Sequence, residues 1–203
     1  MVDALSLAAF IPAALALNLT PGADMMLCVA QGMRHGPRAA WLASAGVATG
    51  GIIHVLVAGL GLSALLAREP LAFDVIRWVG VAYLLWLALK ALRGSMGPVK
   101  APPAKKHAAY TAGLFVNLLN PKVILFVLAF IPQFVLPEAG PVVVQFFVFG
   151  AVMASGGFLV NGLVGTWAGN LGRKLVQGSR LLDILAAGIF TALALRLALI
   201  QRT

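Results

Sequence analysis

Two charged side chains in otherwise apolar stretches are the groups of this chain best suited to chemistry. Asp24 lies three residues after Pro21, and Lys122 directly follows Pro121. A charged residue inside a membrane span costs roughly 2.5–3.5 kcal/mol on insertion scales, so it normally faces a cavity and has a partner. We predict that Asp24 and Lys122 lie close together, with Asp24 carrying a proton or holding an ammonium group and Lys122 binding a carboxylate. The alternative is a structural ion pair that only balances charge.

The same two prolines belong to a backbone motif that occurs twice. Asn18–Gly22 reads Asn-Leu-Thr-Pro-Gly, Asn117–Lys122 reads Asn-Leu-Leu-Asn-Pro-Lys, and the two prolines are 100 positions apart. A proline within a helix removes one backbone donor and frees the carbonyl four residues earlier, here on Leu17 and Asn117. In hydrocarbon such groups are tolerated only where they face protein or a water-filled cavity. Paired interruptions in two halves of a chain are typical of the substrate site of a secondary transporter.

Each motif predicts the end of one half-helix and the start of another. Thr20 and Asn120 are suitable N-caps, and Pro21 and Pro121 suit the first helical position. A helix that begins inside the membrane presents free N–H groups and about half a positive charge, which favours a carboxylate. A proline kink healed by a neighbouring side chain is the alternative for either motif. The residues predicted to bind substrate are Asn18, Thr20, Pro21, Gly22, Asn117, Asn120, Pro121 and Lys122.

Further polar groups lie within the apolar stretches. Asn18, Asn117 and Asn161 carry amides that either bind substrate or satisfy the broken backbone. His54 is a candidate proton relay, although a hydrogen bond to a neighbouring carbonyl explains it equally well. We therefore assign proton coupling to Asp24 and His54 as a prediction.

The composition is that of a membrane protein. The chain has 203 residues, 61% of them hydrophobic and 10% charged, and its mean hydropathy is +0.98. Soluble domains carry roughly 25% charged residues. Apolar stretches that reach the roughly 20 residues of a bilayer crossing predict an all-α membrane protein with six transmembrane helices, the first and fourth of them broken. The stretches are Ala4–Gln31, Ala39–Ala67, Leu71–Leu92, Ala109–Leu136, Pro141–Leu171 and Leu181–Leu199.

The net charge of +9 orients the chain and does not indicate a nucleic-acid partner. Ten basic residues lie in or next to the loops after the first, third and fifth stretches, against four on the opposite side. By the positive-inside rule those three loops are cytoplasmic and both termini lie outside. The single cysteine, Cys28, excludes an intrachain disulfide.

A linker divides the chain into two halves of three helices each. Residues 94–108 are rich in Gly, Pro and Lys, and we interpret them as a basic cytoplasmic connection within one membrane domain. The first repeat is then 1–93 and the second is 109–203. Because three crossings are an odd number, the second half enters the membrane from the opposite side and the repeat is inverted.

Short internal matches support this division. Thr49–Gly51 matches Ser155–Gly157, and Leu87–Lys90 matches Leu193–Arg196, both at an offset of 106. Small residues in such helices allow close approach of backbones, and they are compatible with a homodimer.

These motifs resemble a known family. Leu19–Met25 followed by Gly32–Gly36 resembles the first-span signature of the LysE/RhtB family of amino-acid exporters, and Asn117–Lys122 followed by Phe130–Phe134 resembles its fourth-span signature. The resemblance implies a transporter of the bacterial inner membrane, not an enzyme, that exports amino acids or close derivatives by using the proton gradient. Ala23 stands where the family often has a second proline. The family motif gives functional weight to Pro21, Gly22, Asp24, Asn120, Pro121 and Lys122.

The predicted function is that of a proton-coupled amino-acid exporter that works by alternating access, an antiporter with both termini periplasmic. Its partners are the amino acid, protons and membrane lipid, and we expect neither a cofactor nor a metal. Two alternatives stay open. In a heavy-metal exporter, Asp24 and Cys28 share a helix face and His54 joins them as a ligand. A non-transporting membrane scaffold subunit is the other alternative.

Overall fold

The computed structural model describes residues 2–68, 70–93, 108–167 and 180–199, which form eight α-helices and two short 3-10 helices without any strand. The α-helices are α1 (Ala4–Leu19), α2 (Ala23–His35), α3 (Pro37–Arg68), α4 (Pro70–Leu92), α5 (Ala109–Leu118), α6 (Pro121–Ala129), α7 (Val142–Thr166) and α8 (Arg180–Leu199). The 3-10 helices are Ile131–Phe134 and Pro137–Ala139. Residues 94–107 of the predicted linker lie outside the described residues, as does the predicted end of the fifth span after Trp167.

Both predicted helix breaks are present. α1 and α2 meet at 55°, and α5 meets the segment Pro121–Phe134 at 54°. The all-helical prediction is therefore confirmed for the described part of the chain, including the two broken helices.

The described residues contain two to four candidate membrane spans. Pro37–Gly61 and α7 are each long and apolar enough to cross a bilayer, and each bent pair passes the same test when it is taken as one span. Within α4, Trp78–Lys90 is an apolar segment shorter than a bilayer crossing. The count of six spans stays a prediction.

The N-terminal helix begins at a side-chain cap. The carboxylate of Asp3 accepts a hydrogen bond from the Ser6 N–H at 2.8 Å, which satisfies one of the free donors of the first turn of α1. Hydrogen bonds from Ser6, first from its side chain and then from its backbone, lower the pKa of Asp3 below its ordinary value.

Helices from the two halves of the chain pack against each other. α1 and α2 contact α7, while α5 and α6 contact α3. α3 also packs on α7, and α4 packs on α8. Each broken helix thus lies against the long apolar helix of the other half.

Two buried clusters of different character lie on either side of the breaks. The first contains phenylalanines of α1, α6 and α7: the ring of Phe10 lies 5.8 Å from that of Phe130 and 4.9 Å from that of Phe149. The second cluster, which we call the small-residue core, lies between α2, α3 and α5. It consists of Leu27, Cys28, Ala39, Ala43, Val47 and Ala109.

Glycines bring helix backbones into direct contact. A Cβ atom on Gly46 of α3 would overlap the Tyr110 carbonyl oxygen of α5, and one on Gly32 of α2 would overlap the Gly165 carbonyl oxygen of α7. The prediction that glycines permit close helix packing is confirmed at these positions.

Candidate substrate site

The first break does not have the capping that the sequence predicts. Thr20 ends α1 instead of starting α2, because its hydroxyl donates to the Ala16 carbonyl oxygen at 2.5 Å. Its extended backbone is the conformation favoured before a proline. Gly22 is the N-cap of α2, and it offers no side-chain hydrogen bond. The prediction of Thr20 as N-cap and Pro21 as first helical residue is therefore wrong, and the N-terminus of α2 has no side-chain cap.

The second break follows the prediction. Asn120 is the N-cap of α6, and its side-chain oxygen accepts a hydrogen bond from the Lys122 N–H at 3.0 Å. Pro121 occupies the first turn of the new helix, where a missing N–H costs nothing.

The carboxylate of Asp24 is held by amides from the other half of the chain. Its Oδ2 atom accepts hydrogen bonds from Asn117 Nδ2 and Asn120 Nδ2, each at 3.0 Å. Its Oδ1 atom is buried without a hydrogen-bond partner among the described residues. An acceptor in this condition can bind a donor brought by a ligand.

The ammonium of Lys122 binds the end of α1. Lys122 Nζ donates to the carbonyl oxygens of Leu17 at 2.6 Å and Thr20 at 2.8 Å. Leu17 carries the carbonyl that Pro21 is expected to free, and the C-terminal end of a helix is the end that attracts a cation. An ammonium group has three donors, so one of them is available to a ligand.

Asn18 and His54 form hydrogen bonds that connect the two breaks to α7 and α3. Asn18 Nδ2 donates to the Met153 carbonyl oxygen at 3.0 Å. His54 Nε2 lies 3.1 Å from the carbonyl oxygen of Asn117, the residue whose carbonyl Pro121 is expected to free. Since a carbonyl oxygen only accepts, His54 Nε2 carries the proton in this contact.

Most of the predicted residues line one small cavity between the two breaks. Its volume is about 40 Å³, which is room for roughly three water molecules. Asp24 and Lys122 both line this cavity, which agrees with the prediction that they lie close together. Each of them bonds to other groups of the protein. Pro21 and Pro121 shape the breaks without lining the cavity, and His54 lies beside it. The predicted residues in the lining are Asn18, Thr20, Gly22, Asp24, Asn117, Asn120, Lys122 and Asn161.

Apart from Asn161 of α7, sequence reasoning missed the walls that α3 and α7 contribute. Val47 and Ala48 of α3 face the cavity, as do Met153 and Ala154 of α7. The repeated Gly-Gly pairs were the available signal, because Gly51 and Gly157 also line it.

The suggested metal ligands are not brought together in the part of the chain that the structure describes. Among the residues that the structure describes, no group of three or more His, Cys, Asp or Glu side chains is arranged to hold a metal ion. Cys28 is buried in the small-residue core. His54 is bonded to Asn117. The three suggested ligands are thus not gathered around one point.

Comparison with known proteins agrees with the resemblance seen in the motifs. Residues 15–201 match the family described as LysE type translocator. The chain is 36% identical over 138 residues to a homoserine/homoserine lactone efflux protein of Salmonella typhimurium, which covers 66% of each chain and so just under two thirds of that relative. It is 29% identical over 201 residues to a leucine efflux protein of Klebsiella pneumoniae, covering 95% of this chain and 94% of the relative.

A third relative, from Vibrio cholerae, is named an uncharacterized membrane protein and is 33% identical over 133 residues, or 64% of each chain. No solved structure is significantly similar to the chain. The relatives with named activities are efflux proteins and not enzymes, as predicted for this chain. Because the family match extends over most of its length, the chain belongs to the LysE type translocator family.

Proposed function

We propose that this protein is a proton-coupled transporter that exports amino acids or close derivatives across a bacterial inner membrane by alternating access. One observation carries the proposal: a cavity between two broken helices is lined by both the Asp24 carboxylate and the Lys122 ammonium, which bond to different groups of the protein. Such opposed charges, at a point where backbone is exposed, suit a zwitterion. The efflux activities named for the relatives support the same substrate class.

The two charges suggest how an amino acid is oriented. Its ammonium group binds Asp24 Oδ1, which is buried without a partner in the described structure. Its carboxylate binds the third donor of Lys122 and the N–H groups at the start of α2, where Gly22 leaves the helix uncapped. Both charged residues of the lining then bind the ammonium and carboxylate groups of the substrate.

The rest of the lining indicates a neutral side chain. Among the lining residues that the structure describes, Asp24 and Lys122 are the charged ones, and apolar side chains come from Met25, Val47 and Val123. A cationic or anionic substrate side chain would lack a counter-charge there. We therefore propose small neutral amino acids as the preferred substrates.

The size and position of the cavity support alternating access. Ligand pockets for small molecules are roughly 300–1,000 Å³, so a cavity of about 40 Å³ must enlarge to admit an amino acid. The cavity lies where the helix breaks of the two halves meet. Relative movement of the halves, 1–93 and 109–203, would enlarge it from one side at a time.

Contacts between the halves support the inverted repeat with six spans. The phenylalanine pair Phe10 and Phe130 puts the first half of α1 beside the end of α6, as expected for two broken helices that run in opposite directions. Asn18 lies over Gly156 and Gly157 of α7, and Asn117 lies over Gly50 of α3. Each broken helix thus places an asparagine on the Gly-Gly pair of the other half.

We assign proton coupling to two residues, Asp24 as the group that carries the proton and His54 as a relay beside it. A proton that reaches Asp24 from the periplasm would neutralise the carboxylate and weaken its hold on the substrate ammonium, so that the amino acid leaves on that side. His54 contacts Asn117, which in turn binds Asp24. The distribution of basic residues among the loops supports an orientation with both termini in the periplasm. Membrane lipid surrounds the protein, and the helix faces are compatible with a homodimer.

Counterflow in proteoliposomes tests the proposal. Vesicles are loaded with one unlabelled amino acid from a panel of neutral, basic and acidic members, and uptake of the labelled form is followed. We expect exchange of neutral amino acids and none without protein. Failure of folded, purified protein to exchange any member of the panel would contradict the proposed function.

A further inference from the structure

One buried amide has no role in the site described above. Gln31 of α2 is fully buried, and both its Oε1 and its Nε2 lack a hydrogen-bond partner among the described residues. A buried amide that forms no hydrogen bond destabilises a protein, so its presence calls for a water molecule, a ligand or another functional reason.

The position of Gln31 relates it to the cavity. It follows Asp24 by seven residues, which puts the two side chains on the same face of α2 about 10 Å apart along the helix axis. Leu27 and Cys28, one turn before Gln31, belong to the small-residue core between α2, α3 and α5. In the proposed topology that end of α2 faces the cytoplasm, the side from which an exporter takes its substrate.

A second buried glutamine shows what a structural role looks like. Gln145 of α7 is 2% exposed. Its Oε1 accepts from the Leu136 N–H at 3.0 Å, and its Nε2 donates to the carbonyl oxygens of Leu136 and Gly140 at 2.7 and 2.9 Å. Gln145 therefore holds the turn before α7. Gln31 has the same burial without any of these bonds.

We propose that Gln31 is a substrate-binding residue of the passage that joins the central cavity to the cytoplasm. When α2, α3 and α5 separate, its amide contacts the amino acid on its way to Asp24. An amide has both donors and acceptors, so it can bind either charged end of a zwitterion. The small side chains of the neighbouring small-residue core, such as Ala39 and Ala109, leave room for a solute once the helices part. The inference rests on the proposed function and extends it.

The test compares Gln31→Met with Gln145→Met. Methionine keeps the length of the side chain and removes its hydrogen bonds. Purified variants are reconstituted, and counterflow of labelled leucine or homoserine is measured, using the one that the wild type exchanges faster. We expect Gln31→Met to slow exchange by about tenfold, as for loss of one substrate hydrogen bond, without lowering the melting temperature. Gln145→Met should lower the melting temperature and leave exchange per folded molecule within about twofold of the wild type.

Two results would overturn the inference while leaving the proposed function intact. One is exchange by Gln31→Met within about twofold of the wild type. The other is a melting temperature lowered as much as in Gln145→Met, which would make Gln31 structural. Absence of exchange by the wild type would instead overturn the proposed function, and this inference with it.

Discussion

The two helix breaks use the same backbone device and supply opposite chemistry. At the first break, α1 and α2 present acceptors to the cavity: two main-chain carbonyl oxygens and the carboxylate of Asp24. At the second, α5 and α6 present donors: the amides of Asn117 and Asn120 and the ammonium of Lys122. Every one of these hydrogen bonds joins the two halves of the chain.

The difference between the two breaks shows that a repeated fold need not have a symmetric site. With the two prolines aligned, Asp24 falls opposite Ile124 and Lys122 falls opposite Gly22. A Cβ atom on Gly22 would be in ordinary van der Waals contact with Lys122 Nζ, at 3.7 Å, so the lysine of the other half lies directly beside this glycine. The repeat provides the broken helices, and the unlike residues at matching positions provide a site with two signs of charge.

The largest expected effect comes from removing the donor charge. Lys122→Met eliminates two charge-assisted hydrogen bonds to the end of α1, which should lower stability by about 3 kcal/mol. Lys90→Met is the control, because Lys90 Nζ lies over the Trp86 ring at 4.9 Å and its loss should cost roughly 0.5 kcal/mol. Melting temperatures in detergent test both variants.

The double variant Asp24→Asn/Lys122→Met tests whether the two charged residues interact. If the two charges stabilise one another across the cavity, the double variant should be less destabilised than the sum of the single variants. Simple additivity would show that Asp24 and Lys122 act independently, and the opposed charges would then have no energetic meaning.

A smaller effect should separate the caps of the two breaks. Asn120→Ala removes the N-cap of α6 and a hydrogen bond to Asp24, at a cost of about 2 kcal/mol. Thr20→Val removes one hydroxyl bond to the Ala16 carbonyl oxygen, which still accepts from the Thr20 N–H, at a cost of about 0.5–1 kcal/mol. Chemical denaturation that found equal costs would contradict the unequal capping.

The glycines under the two asparagines should also differ. A Cβ on Gly50 would lie 2.7 Å from Asn117 Oδ1 and 2.9 Å from Asn117 Cβ, whereas one on Gly156 meets only Asn18 Nδ2, at 2.8 Å. Because only the end of the Asn18 amide must move, we expect Gly156→Ala to cost about 1 kcal/mol and Gly50→Ala about 2 kcal/mol.

Gly61→Ala is the matched control, since a Cβ there meets nothing within 4 Å. Alanine should be neutral or slightly stabilising at this helical position. The same melting experiment measures all three variants. A cost at Gly61 as large as at Gly50 would mean that helix glycine content, not contact with Asn117, sets the effect.

The features that the sequence predicts correctly are those with local causes. A proline removes a backbone donor from its helix, and an acid and a base within a membrane span normally face a common cavity. The motifs around Pro21 and Pro121 therefore predict the two breaks, although Pro12 alone lies within α1 without ending it. The role of Thr20 does not follow from the sequence, because its hydroxyl can either cap α2 or donate to the Ala16 carbonyl oxygen, and in the structure it does the second. The partners of Lys122 and the wall formed by Met153 depend on how the halves pack, which no local motif specifies.

In the proposed function, the cavity between the breaks couples proton movement to amino-acid export through Asp24, and a release experiment tests this coupling directly. Wild-type protein and Asp24→Asn are reconstituted into vesicles preloaded with a labelled amino acid that the wild type exchanges. Release is then followed with and without an acidic bath outside. Cys28→Ser, one turn further along α2, is the control and should behave as the wild type does.

Protons enter as the amino acid leaves, so an acidic bath should accelerate release by the wild type. Asp24→Asn should release the amino acid at the same rate with or without the gradient. Gradient-driven release by Asp24→Asn equal to that of the wild type would contradict the account.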